Sequence, residues 1–150
     1  MTTIAYDGKG TIAVDSRASR GGIICNHDED KCIQVDGHYF FFAGDFHLAE
    51  EMVNCFLNGG SIEQCGDVAA IYVSPEGQVS TIGFYEDRQV VKSDMGVGEI
   101  YAIGSGMYHA ISAMDLGKTA EQAIEHAATR DPYTGGKIRV FNVETMEFVK

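Results

Sequence analysis

Proline is scarce in this chain of 150 residues: only Pro75 and Pro132 occur, beside 18 glycines. That balance suits a compact β-rich body with tight turns better than a flexible linker protein. Positive charge is scarce too. Eleven Lys and Arg face 22 Asp and Glu, for a formal net charge of −11. Nucleic acid and anionic membranes both call for a basic surface, so neither is expected as a partner. No uncharged apolar run approaches the ~20 residues of a membrane-spanning helix. The opening Met1-Thr2-Thr3-Ile4 lacks the basic start and apolar stretch of a signal peptide. The five histidines, at 27, 38, 47, 109 and 126, form no H-x-x-x-H or comparable motif, and no C-x-x-C pair exists. No metal or cofactor is therefore expected. Cys25, Cys32, Cys55 and Cys65 read as buried or half-buried free thiols, and a reducing, cytoplasmic setting is the simplest reading.

What is present is enough for one domain over residues 1–150, with a real core and no staples. Hydrophobic residues make up 45%, and neither linker, repeat nor low-complexity segment interrupts them. Residues 2–6 and 11–15 read as strands around the turn Asp7-Gly8-Lys9-Gly10, a hairpin signature. Further strands are expected at 22–25, 31–35 and 39–43. The period then changes. Over 45–57, apolar residues fall at 46, 49, 52, 53, 56 and 57, a helical stripe with Asp45 as N-cap and Asn58-Gly59-Gly60 as its stop. Strands follow at 68–73, 79–85, 89–92 and 100–103. A helix with Met107, Ala110, Ile111 and Met114 on one face ends at Gly117. Another starts from the capping box Thr119-x-x-Gln122. Strands at 136–143 and 146–149 close the chain. Tight turns between consecutive strands imply antiparallel pairing. Helices gathered in two places imply that they cover the outer faces of sheets, in four layers, helix–sheet–sheet–helix.

Thr2-Thr3-Ile4, Asp15-Ser16-Arg17-Ala18, Lys31, Ala43-Gly44, Gly104-Ser105-Gly106 and the run Arg130-Asp131-Pro132-Tyr133-Thr134-Gly135-Gly136 follow one another in this order. Together they resemble proteasome β-subunits and the bacterial HslV peptidase. The resemblance spans nearly the whole chain. It implies an α+β fold, the αββα N-terminal-nucleophile hydrolase sandwich of two antiparallel sheets. It also implies a nucleophile, Thr2, exposed by removal of Met1. A free N-terminal threonine carries a hydroxyl and an amine on adjacent carbons. The amine, with a reference pKa of ~7.7–8.0, can accept the hydroxyl proton without any histidine.

By the same resemblance, Lys31 is a buried cation that lowers the pKa of the hydroxyl and amine, and Asp15 is its partner. Gly44 supplies an oxyanion N–H. Ser105 and Asp131 hydrogen-bond the amine and a nearby water. Arg17 belongs to the surround of the site. The primary substrate pocket corresponds to Ala18, Glu29, Ile33, Phe42 and Phe46: apolar, with Glu29 able to admit a basic group if it points inward.

Each position also has an ordinary reading. Thr2-Thr3 can simply begin an edge strand, and Lys31 can be a solvated charge after the acidic run 28–30. Gly44 can end a strand, Ser105 can cap a helix, Asp131-Pro132-Tyr133 can be a turn, and Glu29 can be a surface acid. Two departures from the family pattern are local: Pro132, which lacks a backbone donor, and Thr134 where serine is commoner. A third is larger. Residues 58–67 leave no room for a second long helix, so one outer layer should keep a single helix. That bears on ring contacts and on any docking surface for an unfolding ATPase.

The expected substrate is a peptide or unfolded protein, with self-association into rings. An N-terminal-nucleophile amidohydrolase acting on a small amide, and a catalytically inactive assembly subunit, are the alternatives.

Overall fold

In the computed structural model, the described residues are 2–62, 68–84 and 90–150. The strands are β1 (Thr3–Tyr6), β2 (Thr11–Val14), β3 (Ala18–Arg20), β4 (Ile23–Asn26), β5 (Cys32–Val35), β6 (His38–Gly44), β7 (Val68–Val73), β8 (Val79–Phe84), β9 (Val90–Asp94), β10 (Tyr101–Gly104), β11 (Arg139–Asn142) and β12 (Glu147–Phe148). The helices are α1 (Ala49–Asn58), α2 (Met107–Asp115) and α3 (Ala120–Ala128). The chain divides into two compact units, residues 1–31 with 96–150, and residues 32–95.

The first unit holds a five-stranded sheet in the order β10-β1-β2-β11-β12 and a separate β3–β4 hairpin. Every pairing in the sheet is antiparallel. Side chains alternate along β1, so Thr3 and Ala5 share one face. That face packs under α2 and α3 mostly through small residues, Ala5, Ala13 and Ala102 from the strands and Ala110, Ala120 and Ala123 from the helices, with the larger Ile124 among them. Alanines at these contacts let both helices lie close to the sheet. The capping box of α3 forms as the sequence indicates. The Thr119 hydroxyl accepts the Gln122 N–H at 3.1 Å, and the Gln122 side chain accepts the Thr119 N–H at 3.0 Å.

The second unit is a sheet in the order β5-β6-β7-β8-β9, again antiparallel throughout, with α1 against it. Here the packing residues are large. Phe40 lies opposite Tyr72 and Phe42 opposite Ala70, and these join Leu48, Met52, Ile62 and Ile82 in one fully buried cluster. Phe40 and Tyr72 rings lie 5.0 Å apart, and Phe56 meets Tyr72 edge-on at 4.7 Å. Among the described residues α1 is the one α-helix of this unit, in keeping with the short 58–67 connection. No helix among the described residues is long and apolar enough to cross a membrane.

Three expectations need correction. Asp45 starts a 3-10 turn, Phe46–Leu48, with no side-chain cap hydrogen bond, and α1 begins only at Ala49. The apolar stripe records which face is buried, and a 3-10 turn satisfies it as well as an α-turn does. The strand β3 was not expected, because Ala18-Ser19-Arg20 has no apolar alternation. Cys25 is exposed on β4, while Cys32 is half-buried and Cys55 buried. Cys65 lies outside the described residues.

Gly104 ends β10 opposite Thr3, with φ at +97°. A Cβ there would stand 1.6 Å from the Thr2 carbonyl oxygen. Gly117 has a similar φ of +91° with nothing near it. Gly117→Ala should therefore lose only about 1 kcal/mol, for its left-handed backbone. Gly104→Ala should lose about 3 kcal/mol or more, because backbone must move. Urea denaturation of both variants checks this, and equal losses would refute the close approach of β10 to Thr2.

Candidate active site

Asp15 follows β2 directly and is wholly shielded from solvent. A buried carboxylate is costly unless its oxygens are satisfied. Oδ1 accepts Lys31 Nζ at 2.8 Å and the Thr3 N–H at 3.1 Å, and Oδ2 accepts the Gly135 N–H at 2.9 Å. Lys31 is 3% exposed, so it is not the solvated charge its acidic neighbours could suggest. Its ammonium also donates to the Arg17 carbonyl at 2.7 Å. Burial holds the Lys31 pKa below the ordinary lysine value, only partly offset by Asp15 and Glu29, and the Arg139 cation adds to the lowering.

A second network starts from the other side of the same strand end. The Thr2 carbonyl accepts the Ser105 N–H at 2.9 Å. Ser105 does not cap α2: the N-cap residue is Gly106, with no side-chain bond. Instead the Ser105 hydroxyl donates to Asp131 Oδ2 at 2.5 Å. Thr134 Oγ1 donates to the same oxygen at 2.6 Å, and the Tyr133 N–H reaches Asp131 Oδ1 at 3.2 Å. Burial alone would raise the Asp131 pKa, but the bonds from Ser105, Thr134 and Tyr133 outweigh it and hold the carboxyl below its usual range.

Asp131 is thus an acceptor, and Thr134 directs its one hydroxyl hydrogen to it. In the 2.6 Å contact between Thr134 Oγ1 and Thr3 Oγ1, Thr3 must then be the donor. Thr3 Oγ1 in turn accepts the Gly106 N–H at 2.9 Å. The hydrogens run in one direction, from Gly106 through Thr3 and Thr134 to Asp131.

Arg17 braces the loop that carries Asp131. Its Nη1 donates to the Pro132 carbonyl at 2.8 Å. A Cβ on Gly135 would meet the Arg17 Cζ at 2.5 Å, so the guanidinium lies directly over that glycine. Pro132 therefore lacks a backbone donor yet anchors the arginine through its oxygen.

Thr2, Asp15, Lys31, Ser105 and Asp131 are brought together within the first unit. Gly44 is in the second unit, at the end of β6 with φ at +101°. The pocket candidates divide as well. Ala18 and Glu29 belong to the first unit, and Ile33, Phe42 and Phe46 to the second. Glu29 is half-buried and accepts Asn26 Nδ2 at 3.2 Å. Phe42 is fully buried in the core cluster, so it is a packing residue and has no surface with which to line an open pocket. Phe46 is 37% exposed and meets Phe42 edge-on. Ile33 packs at the edge of that cluster.

Sequence reasoning did not single out Thr3, the Gly135 N–H, Thr134 as a hydrogen-bond relay, or Arg139. The spacing of Thr134, three residues after Asp131, is a local turn signal that could have found it. Among the described residues no group of three or more His, Cys, Asp and Glu could hold a metal ion.

The depressed Asp131 pKa has a definite sign in folding. The ionised form is favoured in the native state, so its contribution is present above the unfolded carboxylate pKa and is lost as pH falls through the lower folded value. The stability difference between wild type and Asp131→Asn should be constant above about pH 5 and shrink below about pH 3.9. Urea titrations at a series of pH values measure it. A difference that widens on acidification would contradict this network.

No family model matches the chain, and no curated protein matches it in sequence. Among solved structures it is similar to BPH from Thiobacillus denitrificans, determined in complex with epoxomicin. That match has 17% identity and a TM-score of 0.64, over 93% of this chain and 96% of the other. It is also similar to the eukaryotic HslV of Trypanosoma brucei, with 22% identity and a TM-score of 0.63, over 94% of this chain and 99% of the other. Both matches run across nearly the full length of each partner, so a whole domain is shared and not a fragment. The chain has the HslV-like fold of proteasome β-subunits, the N-terminal-nucleophile hydrolase fold.

Proposed function

We propose that this chain is a threonine peptidase of the proteasome type, with Thr2 as its nucleophile once Met1 has been removed. The observation that carries the reading is a single atom. Asp15 Oδ1 is held at once by the Lys31 ammonium and by the N–H of the Thr2–Thr3 peptide bond. A buried cation is thereby fixed two hydrogen bonds from the backbone of residue 2.

With the α-amine of Thr2 free, the chemistry follows from these groups. The neutral amine takes the hydroxyl proton as Oγ1 attacks the substrate carbonyl. The Lys31 charge favours the alkoxide-like oxygen and disfavours protonation of the amine. Ser105, whose hydrogen is directed to Asp131, keeps lone pairs with which to accept from the Thr2 amine. The protonated amine then gives its proton to the leaving nitrogen, the C–N bond breaks, and an ester on Thr2 remains. Water, deprotonated by the same amine, hydrolyses the ester and regenerates the hydroxyl. No cofactor enters any step. We further propose a cytoplasmic enzyme that assembles into a ring of identical subunits and takes peptides or unfolded proteins.

A threonine-directed covalent inhibitor, followed by peptide mapping of the processed protein, should place the adduct on Thr2. Fluorogenic peptides should be cleaved in preference to small amides. An adduct elsewhere on a peptide-cleaving sample would end this reading, and turnover confined to small amides would point to an amidohydrolase. Thr2→Ala should lower kcat at least about a thousandfold while leaving the fold intact by circular dichroism, and Lys31→Ala should lower kcat as far with an added loss of stability, since it leaves Asp15 buried without its cation.

The pH dependence has a fixed sign: the amine must be neutral, so kcat/KM should rise with pH. The Lys31 charge should put the midpoint of that rise below the ~7.7–8.0 of a free α-amine. A rate that falls from about pH 6 to about pH 8 would be incompatible with the amine as base.

A further inference from the structure

Arg139 stands on β11 opposite Val14, the residue just before Asp15. Its side chain is 20% exposed, and its hydrogen bonds reach two separate stretches of chain. Nη1 donates to the Ser16 hydroxyl at 2.6 Å and to the Glu29 carbonyl at 2.9 Å. Nη2 donates to Asp28 Oδ1 at 2.7 Å and, more weakly, to the Asp28 carbonyl at 3.5 Å. Ser16 adjoins Asp15, and Asp28 and Glu29 lead into Lys31. One planar fork therefore grips both arms that deliver the ion pair. The arms also touch each other through the Glu29 N–H and the Ser16 carbonyl, at 2.8 Å.

The need for such a grip is electrostatic. Asp28, Glu29 and Asp30 are consecutive acids on the loop that must bring Lys31 to a fully buried Asp15. Left alone, they repel one another and offer Lys31 competing partners in solvent. A guanidinium neutralises part of that charge and ties down the backbone carbonyl as well. A lysine ammonium would supply the charge but lacks the rigid fork.

We propose that Arg139 is a positioning residue of the candidate site: it holds the loop that delivers Lys31 against the strand that ends in Asp15. The proposal rests on the peptidase reading for its kinetic consequence, but not for its structural one. The charged groups acting on Lys31 are Asp15, Glu29 and Arg139. Asp30, Lys137 and Lys150 line the shallow recess beside Arg139.

The test compares wild type with Arg139→Ala and Arg139→Lys by two readouts. The first needs no activity: NMR titration of the Lys31 side chain in lysine-labelled protein, assigned by its loss in Lys31→Met. Arg139→Ala should raise the Lys31 midpoint, because a cation that lowers it is lost, whereas Arg139→Lys should leave it near the wild-type value. The second is kinetic. Both variants should lower kcat, the alanine by about 10- to 100-fold, with KM within about twofold of wild type. The rising limb of the pH profile should move to higher pH in the alanine variant alone.

If Arg139→Ala fails to fold, Arg139→Lys still decides the matter through its kcat. A folded Arg139→Ala with unchanged Lys31 titration and unchanged kcat would overturn the proposal, as would an Arg139→Lys with full kcat. If wild type cleaves no peptide while the Lys31 midpoint moves as stated, the peptidase reading falls and the positioning role stands.

Discussion

A lysine and an aspartate shut away from water govern the rest of this site. Removing both charges from solvent costs several kcal/mol per ion, and their attraction repays it only when every remaining lone pair and proton is also placed. The structure adds such partners from three directions: the N-terminal strand gives the Thr3 N–H, the loop after α3 gives the Gly135 N–H, and the Arg17 carbonyl takes a second Lys31 proton. Loss of one partner leaves an uncompensated charge, so the segments are locked to one another. The end of β1 is held in place because the ion pair needs it.

The second carboxylate solves the opposite problem. Among the described residues no lysine or arginine side chain hydrogen-bonds the Asp131 oxygens; hydroxyls and a backbone N–H favour its ionised form instead. The two acids bracket the same dipeptide. Asp15 holds the N–H of Thr3, while Asp131 takes the hydroxyl of Thr3 through Thr134 and, through Ser105, reaches the carbonyl of Thr2. Thr3 therefore fixes the backbone next to Thr2, and it lies on the face of β1 that packs under α2 and α3. The small residues of that interface, and the bare α-carbon of Gly104, are what let the helix start and the strand end come so close.

Much of this was legible in the residues. The capping box at Thr119 specified the start of α3, because its signal is local and chemical. The apolar run 68–73 matched β7 residue for residue. The motif order from Thr2-Thr3-Ile4 to Gly135-Gly136 pointed to the fold that the full-length structural matches bear out. Other elements left no such trace. The three-residue β3 has a partner strand but no apolar pattern, and Asp45 reads as a cap in a stretch where the backbone chooses a tighter turn. Phe42 was placed in a pocket by correspondence alone, whereas its alternation with Phe40 along β6, opposite Ala70 and Tyr72, puts it in the core.

The sequence by itself determined the local periods, the capping box of α3, many of the turns and the net negative charge, since each is a property of neighbouring residues or of composition. Only the tertiary structure decided the partnerships. Thr3 joins Thr134 across 131 positions, and Arg139 joins Ser16 across 123. The strand order β10-β1-β2-β11 places those distant segments side by side. Hydrogen-bond direction, burial and the shifts in Lys31 and Asp131 arise from that juxtaposition, and no linear spacing encodes them.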